Sequence, residues 1–143
     1  LIHRIDLRDH GMFPNHHPLT YLTINESIYR RMTSKSGRPN RILIHRYREW
    51  LEESNLNGNI WITRLAGIKK EMAPTSWDKI PIKTKNRALK IVREIRPNLA
   101  RSLRAVPDED LAVSGIVVSA KSAPTYGKKR KKKNPVLNSS GVR

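Results

Sequence analysis

The stretch KTKNRALKIVREIRPNLARSLRAV, residues 83–106, carries the clearest pattern in this chain of 143 residues. At about 100° per residue, the advance of an α-helix, its apolar side chains fall on one narrow stripe. The stripe consists of Ala88, Val92, Ile95, Leu99, Leu103 and Val106. Pro97 removes a backbone donor, but the apolar positions keep their phase on both sides of it. The pattern therefore predicts a helix that kinks or splits near Arg96, with both halves packed on one core.

The side of this helix that faces away from the stripe is basic. Glu94 is essentially the only acid that could pair with it at helical spacing. A cationic face of this kind suits the phosphates of a nucleic acid, although a solvated face or a membrane-surface helix has the same pattern. The candidate phosphate-binding residues here are Lys83, Arg87, Lys90, Arg93, Arg101 and Arg104.

Two shorter helices are predicted before this stretch. The segment Thr23–Glu26 has the spacing of a capping box, which predicts a helix over about residues 24–35. Asn40 can cap a second helix over about residues 41–54, and the Asn- and Gly-rich residues 55–59 predict a turn after it. Tyr47 and Trp50 fall on the apolar face of that second helix, so we expect both to pack in the core.

The remaining elements are short. Residues 1–22 contain glycine, prolines and histidines and predict an irregular arm, with a short strand over Leu1–Leu7. Residues 60–73 mix the helical and strand periods, and we favour a helix. A final short helix is expected to begin at Pro107, followed by a strand over Ser114–Ala120.

These elements predict a mainly α protein of about four to five helices, with three segments. Residues 1–22 form the N-terminal arm, residues 23–120 the helical domain and residues 121–143 a basic tail. The tail holds little that could be buried, so we expect it to be disordered or to be ordered by a partner.

The charge of the chain indicates its partner. The formal net charge is +17, and it is concentrated in blocks separated by short acidic segments. Self-repulsion of this kind does not stabilise a fold, but each cation that meets a phosphate releases a condensed counterion. The sharpest block lies in the tail and consists of Lys128, Lys129, Arg130, Lys131, Lys132 and Lys133. Such a run fits phosphate contacts, and it also has the composition of a nuclear import signal.

A third basic region covers the two predicted N-terminal helices and the segment between them. Its candidates for nucleic-acid binding are Arg30, Arg31, Arg38, Arg41 and Arg48. Two helices with a short connection are compatible with a helix-turn-helix that reads duplex DNA. The connection over residues 36–40 is longer than usual and contains a proline, which favours a plain helical hairpin lying on a nucleic-acid backbone.

Other function classes find little support in the composition. Cysteine is absent, and the histidines at 10, 16 and 17 have no acidic residues at metal-ligand spacing, so we expect no metal or cofactor. No nucleophile elbow, phosphate-binding loop or paired acid and base is visible, so we do not expect an enzyme. No apolar run is long enough to span a membrane, and the compartment cannot be assigned beyond an intracellular particle or the nucleus.

The sequence therefore predicts a structural nucleic-acid-binding protein. We favour an RNA-binding component of a ribonucleoprotein, with a ribosomal protein as the specific hypothesis, because Lys-rich tails become ordered between RNA helices. A nuclear DNA-binding or chromatin protein and a capsid-type packaging module are the alternatives. Other proteins of a large assembly are further candidate partners.

Overall fold

The computed structural model describes residues 1–35, 41–54 and 56–122, which fold as a mixture of helices and one antiparallel sheet. The elements in chain order are β1 (Ile2–Asp6), α1 (Glu26–Thr33), α2 (Ile44–Glu53), β2 (Leu56–Leu65), α3 (Ile82–Ile95), α4 (Asp108–Ala112) and β3 (Val113–Ser122). Short 3-10 turns cover Thr20–Leu22, Trp77–Lys79, Arg96–Asn98 and Arg101–Leu103.

The sheet places the last strand in the middle. Its order is β1-β3-β2, and β3 is antiparallel to both neighbours. The two outer strands therefore run parallel to each other, and the chain between them passes through α1 and α2. Ile5 and Ile62 are both register partners of Ile116. Because side chains alternate across a strand, these three residues share the face on which α2 packs with Ile44 and Leu51.

The prediction of a mainly α, all-alpha protein is wrong, and β2 is the main reason. A helix was favoured for residues 60–73, but residues 60–65 complete a ten-residue strand and residues 66–73 form a turn and a loop. From Leu56 to Ile62 this strand alternates between more and less buried positions, the period of a half-buried strand. Its hydrogen-bonding partner is β3, more than fifty residues later, and no local pattern reveals such a pairing.

Gly58 explains why the predicted turn at residues 55–59 is a strand over the described residues 56–59. A Cβ atom at Gly58 would lie 2.6 Å from the carbonyl oxygen of Ser119 and 2.9 Å from a methyl group of Leu51. The glycine therefore lets α2 and β3 approach the strand closely, which is one of the uses of glycine inside a sheet.

The apolar stripe predicted within residues 83–106 is confirmed. All six of its residues are buried, from Ala88 to Val106. The helix divides at the proline as predicted: α3 ends at Ile95, Pro97 lies in a 3-10 turn, and a second 3-10 turn follows at Arg101–Leu103. The stripe thus continues through two kinds of helix on one side of the core.

The other short elements agree with the sequence in kind but differ in their ends. The N-terminal arm contains a strand where one was predicted, within residues 1–7, and β1 pairs with β3 along its whole length. The N-cap of α1 is Asn25, whose side-chain oxygen accepts from the amide of Ser27 at 2.9 Å, and not Thr23. Helix α2 begins only at Ile44. The predicted cap Asn40 and the basic tail beyond Ser122 lie outside the described residues.

Candidate nucleic-acid interface

Helix α3 has one buried and one basic side. Ala88, Val92 and Ile95 are buried, with 0%, 0% and 9% of their surface exposed. Pro81 precedes the helix and ends the extended backbone before it. The buried positions fix the rotation of α3 about its own axis, so the residues on its other side must face outward.

The outward side of α3 carries three cations in one row, which we call the α3 basic row: Lys83, Arg87 and Lys90. Their spacing of four and three residues places them above one another on the helix. All three are exposed, and Arg93 is exposed beside them. Within the described ranges, no carboxylate lies within 4 Å of any of these four cationic groups.

Glu94, the acid on this side of the helix, is directed elsewhere. Its Oε2 lies 3.5 Å from Nε2 of His17, and the structure records no ion pair between it and Lys90. The α3 basic row therefore keeps its charge, and like charges at these spacings repel slightly in the free protein. Charge left free in this way is available to an external anion.

Two further predicted residues lie at the second 3-10 turn after α3: Arg101 begins it and Arg104 directly follows it. Arg101 is exposed, and Arg104 is exposed while its Nε donates to the carbonyl oxygen of Leu99 at 3.2 Å. Arg96, which was not among the predicted residues, has a structural role. It donates to the carbonyl oxygen of Val106 at 2.8 Å and lies 3.3 Å from Asp108.

Helix α1 presents Arg30 and Arg31 to solvent. Neither forms an ion pair within the part of the chain that the structure describes. The same helix exposes Ile28 and Met32, at 55% and 44% of their surface, next to Arg31. α1 therefore offers a mixed basic and apolar face, with only Tyr29 buried beneath it.

Arg41 points into the molecule. Its side chain is only 4% exposed, and it donates to the carbonyl oxygens of Ile24 at 2.6 Å and Tyr21 at 3.2 Å. It also pairs with Glu26 at 2.6 Å and lies 4.2 Å from the ring centre of Tyr29. This residue joins the start of α1 to the segment before α2, and we leave it out of the candidate surface.

Arg48 is also engaged inside the protein. Its guanidinium donates to Oδ1 of Asp110 at 2.7 Å, and Asp110 is buried with 6% of its surface exposed. The pair fixes α2 to the start of α4. The predicted residues Arg38, Lys128, Lys129, Arg130, Lys131, Lys132 and Lys133 lie outside the described residues.

The placement of Trp50 differs from expectation. Trp50, expected in the core, is 43% exposed, whereas Tyr47 is half-buried. Trp61 is 37% exposed on the face of the sheet opposite α2, and Lys85 stacks on the ring of Trp77 at 5.6 Å. The buried side chains of α2 are those of Ile44 and Leu51, so the face that packs on the core is rotated away from the face on which Trp50 lies.

Three titratable groups in the N-terminal arm and α1 have shifted pKa values. The Arg8 side chain hydrogen-bonds to Asp6 and lowers the pKa of Asp6 to about 2. Burial raises the pKa of Tyr21, whose hydroxyl donates to the carbonyl oxygen of Leu7 at 2.9 Å. Burial also raises the pKa of Tyr29, and the nearby Arg41 partly offsets this effect.

A metal or membrane role gains nothing from the described residues. No cluster of three or more His, Asp or Glu side chains among them is placed to hold a metal ion. No helix in the same part of the chain is both long and apolar enough to cross a bilayer.

Comparison with known proteins adds no relationship: no family model, no curated protein and no solved structure matches this chain.

Proposed function

We propose that this protein binds RNA through its phosphate backbone and acts as a structural component of a ribonucleoprotein. The observation that carries the proposal is the α3 basic row, Lys83, Arg87 and Lys90, held outward by a buried stripe and without carboxylate partners in the described ranges. Such contacts fix position without reading bases. The proposal assigns no catalytic step.

The internal bonding of the arginines in and before α2 favours RNA over the helix-turn-helix alternative. A recognition helix needs free side chains that reach base edges in the major groove. Arg41 is turned inward, Arg48 pairs with Asp110, and Arg46 pairs with Glu49. The second helix of the hairpin therefore offers no uncommitted arginine, and duplex DNA is the less favoured target.

The test compares two sets of three substitutions that remove equal charge. One variant changes Lys83, Arg87 and Lys90 to Gln, and the matched control changes Arg4, Arg8 and Arg46, which are also exposed but ion-paired. Binding to a structured RNA and to duplex DNA is measured by filter binding from 50 to 200 mM salt. We expect the first variant to lower the slope of log affinity against log salt by about 2, because each phosphate contact contributes about 0.7–0.9.

The control should change that slope by less than half as much. Equal effects of both variants would mean that only net charge matters, and an unchanged slope in the first variant would contradict the proposal. Tighter binding of the duplex DNA at every salt concentration would put the DNA-binding alternative ahead. Assembly of many copies around the RNA would favour a packaging module.

A further inference from the structure

The free edge of β1 exposes backbone groups that nothing in the described residues pairs. In β1, the odd-numbered residues bond to β3: the Leu1 amine donates to Ala120 at 2.8 Å and the Leu7 amide to Ser114 at 3.0 Å. Because the bonding direction alternates along an antiparallel pair, the N–H and C=O groups of Ile2, Arg4 and Asp6 point away from the sheet.

The opposite edge of the sheet is protected. On β2, Ile62 and Thr75 exchange two backbone hydrogen bonds, at 2.7 and 3.1 Å, and the amide of Met72 donates to the carbonyl oxygen of Thr63 at 2.9 Å. The segment 72–75 therefore covers part of that edge. Proteins commonly cover or blunt their edge strands, so the contrast between the two edges singles out β1.

An apolar groove of about 390 Å³ runs beside the open edge. Its apolar lining comes from Ile5 and Val118 of the sheet, from Ile42 before α2, and from Tyr47 and Trp50 of α2. Polar and charged side chains also line it: His3, Arg46, Glu49 and Glu53. The groove lies on the α2 face of the sheet, where every second side chain of a strand added next to β1 would point. One extended ligand can therefore hydrogen-bond to the free backbone groups of β1 and, at the same time, place its alternate side chains in the groove.

Apolar surface is concentrated around the same place. Leu1 and Trp50, which both line the groove, are 69% and 43% exposed, and Ile2, on the opposite face of β1, is 81% exposed. The two charged side chains of β1 do not shield the edge, because Arg4 pairs with Glu71 and Asp6 pairs with Arg8. The edge therefore lacks the unpaired charge that usually discourages strand addition.

We propose that β1 accepts an extended strand from another polypeptide, which adds to the sheet by backbone hydrogen bonds and places alternate apolar side chains in the groove between β1 and α2. The partner chemistry follows from the two features together: main-chain bonding supplies affinity, and the groove selects apolar residues at every second position. This site is separate from the α3 basic row, so both partners could be bound by different surfaces.

Amide hydrogen exchange on the full chain tests the proposal directly. In the free protein we expect rapid exchange at Ile2, Arg4 and Asp6 and slower exchange at His3 and Ile5, which bond to β3. The probes are synthetic ten-residue peptides with Val or Ile at alternate positions and Thr or Lys between them. At saturation we expect at least about tenfold slower exchange at the three outward amides and a blue shift of Trp50 fluorescence.

Two controls separate this edge from general apolar binding. Peptides of the same composition without the alternation should protect the three amides much less. Arg4→Pro removes an outward N–H and leaves the bonds to β3, so peptide protection should be lost while His3 and Ile5 stay protected. RNA affinity is measured in parallel and should not change by more than about twofold, since Arg4 is already ion-paired.

Three outcomes would overturn the proposal. The first is no protection of the outward amides by any alternating peptide. The second is their protection in the free monomer, which would mean that residues of this chain already cover the edge. The third is protection that rises with protein concentration together with dimer formation in sedimentation, which would identify a second copy as the occupant.

Discussion

Cations at α2 and on α3 were both predicted to bind nucleic acid, but the structure gives them different surroundings. Around α2, Arg41 and Arg48 find acceptors far away in the chain, at Ile24 and Asp110. On α3, Lys83 and Arg87 extend from the opposite side of a buried stripe and find no carboxylate in the described ranges. A cationic side chain in a basic segment can therefore either bond inside the protein or stay exposed without a partner. The outcome depends on acids and carbonyl oxygens that are distant in the sequence.

The largest expected effect concerns the stripe that holds α3 in place. Leu99 is 1% exposed, and Leu99→Ala should lower the free energy of unfolding by about 2–5 kcal/mol. Lys90→Ala, on the exposed side, should change it by less than about 0.5 kcal/mol. Urea unfolding of both variants measures the difference. A cost below about 0.5 kcal/mol for Leu99→Ala would remove the basis for a fixed basic face.

The second prediction concerns the inward-pointing arginine before α2. Arg41→Met keeps the length of the side chain but leaves the carbonyl oxygens of Tyr21 and Ile24 without this donor. We expect a loss of about 1–3 kcal/mol in unfolding free energy. The exposed, paired Arg46 is the matched control, and Arg46→Met should cost less than about 1 kcal/mol. Equal costs would show that the two cations do not differ in role.

The Arg48–Asp110 pair should give a smaller, measurable coupling. The carboxylate is buried whereas the guanidinium side chain is half exposed, so water still reaches part of the pair. A double-mutant cycle with Arg48→Met and Asp110→Asn should yield a coupling energy of about 0.5–1.5 kcal/mol. If the effects of the two substitutions on the unfolding free energy are additive, the coupling energy is zero and the pair does not contribute to stability.

The smallest effect is a pH dependence in the N-terminal arm. Asp6 has its pKa lowered to about 2 by Arg8, so the unfolded state binds the proton more readily. The stabilisation is present above about pH 5 and is lost as the pH falls through the unfolded pKa towards 2. Because both side chains are partly exposed, we expect less than about 1 kcal/mol. Asp6→Asn should flatten the stability curve between pH 5 and 2 relative to that of the unsubstituted protein, and an unchanged curve would contradict this role of Asp6.

The sequence predicted α3 and its stripe because both depend on neighbours within a few turns. It failed at β2, because the partner of this strand is β3, and because Gly58 among asparagines looks like a turn unless the close approach of Leu51 is known. Half-buried strands depend on such non-local partners.

For the candidate site, exposure of the α3 basic row followed from the same helical period. The inward direction of Arg41 could not be predicted, because its acceptors are the backbone carbonyl oxygens of Tyr21 and Ile24. Every residue has such a carbonyl, so the sequence does not indicate which of them will bond to a side chain. The free edge of β1 could not be foreseen either, because it depends on the order of the strands and not on the residues of β1 alone.

The central position of β3 determines when the sheet can form during synthesis on a ribosome. Leu1 and its hydrogen-bonding partner Ala120 are separated by 119 residues. At about 5–20 residues per second, roughly 6–24 s pass between the synthesis of β1 and that of β3. Until β3 is made, β1 and, once it is synthesised, β2 lack their hydrogen-bonding partner, and their apolar residues are open to chaperones or to aggregation. A chain that stops after α4 would lose the middle of its sheet, not an edge.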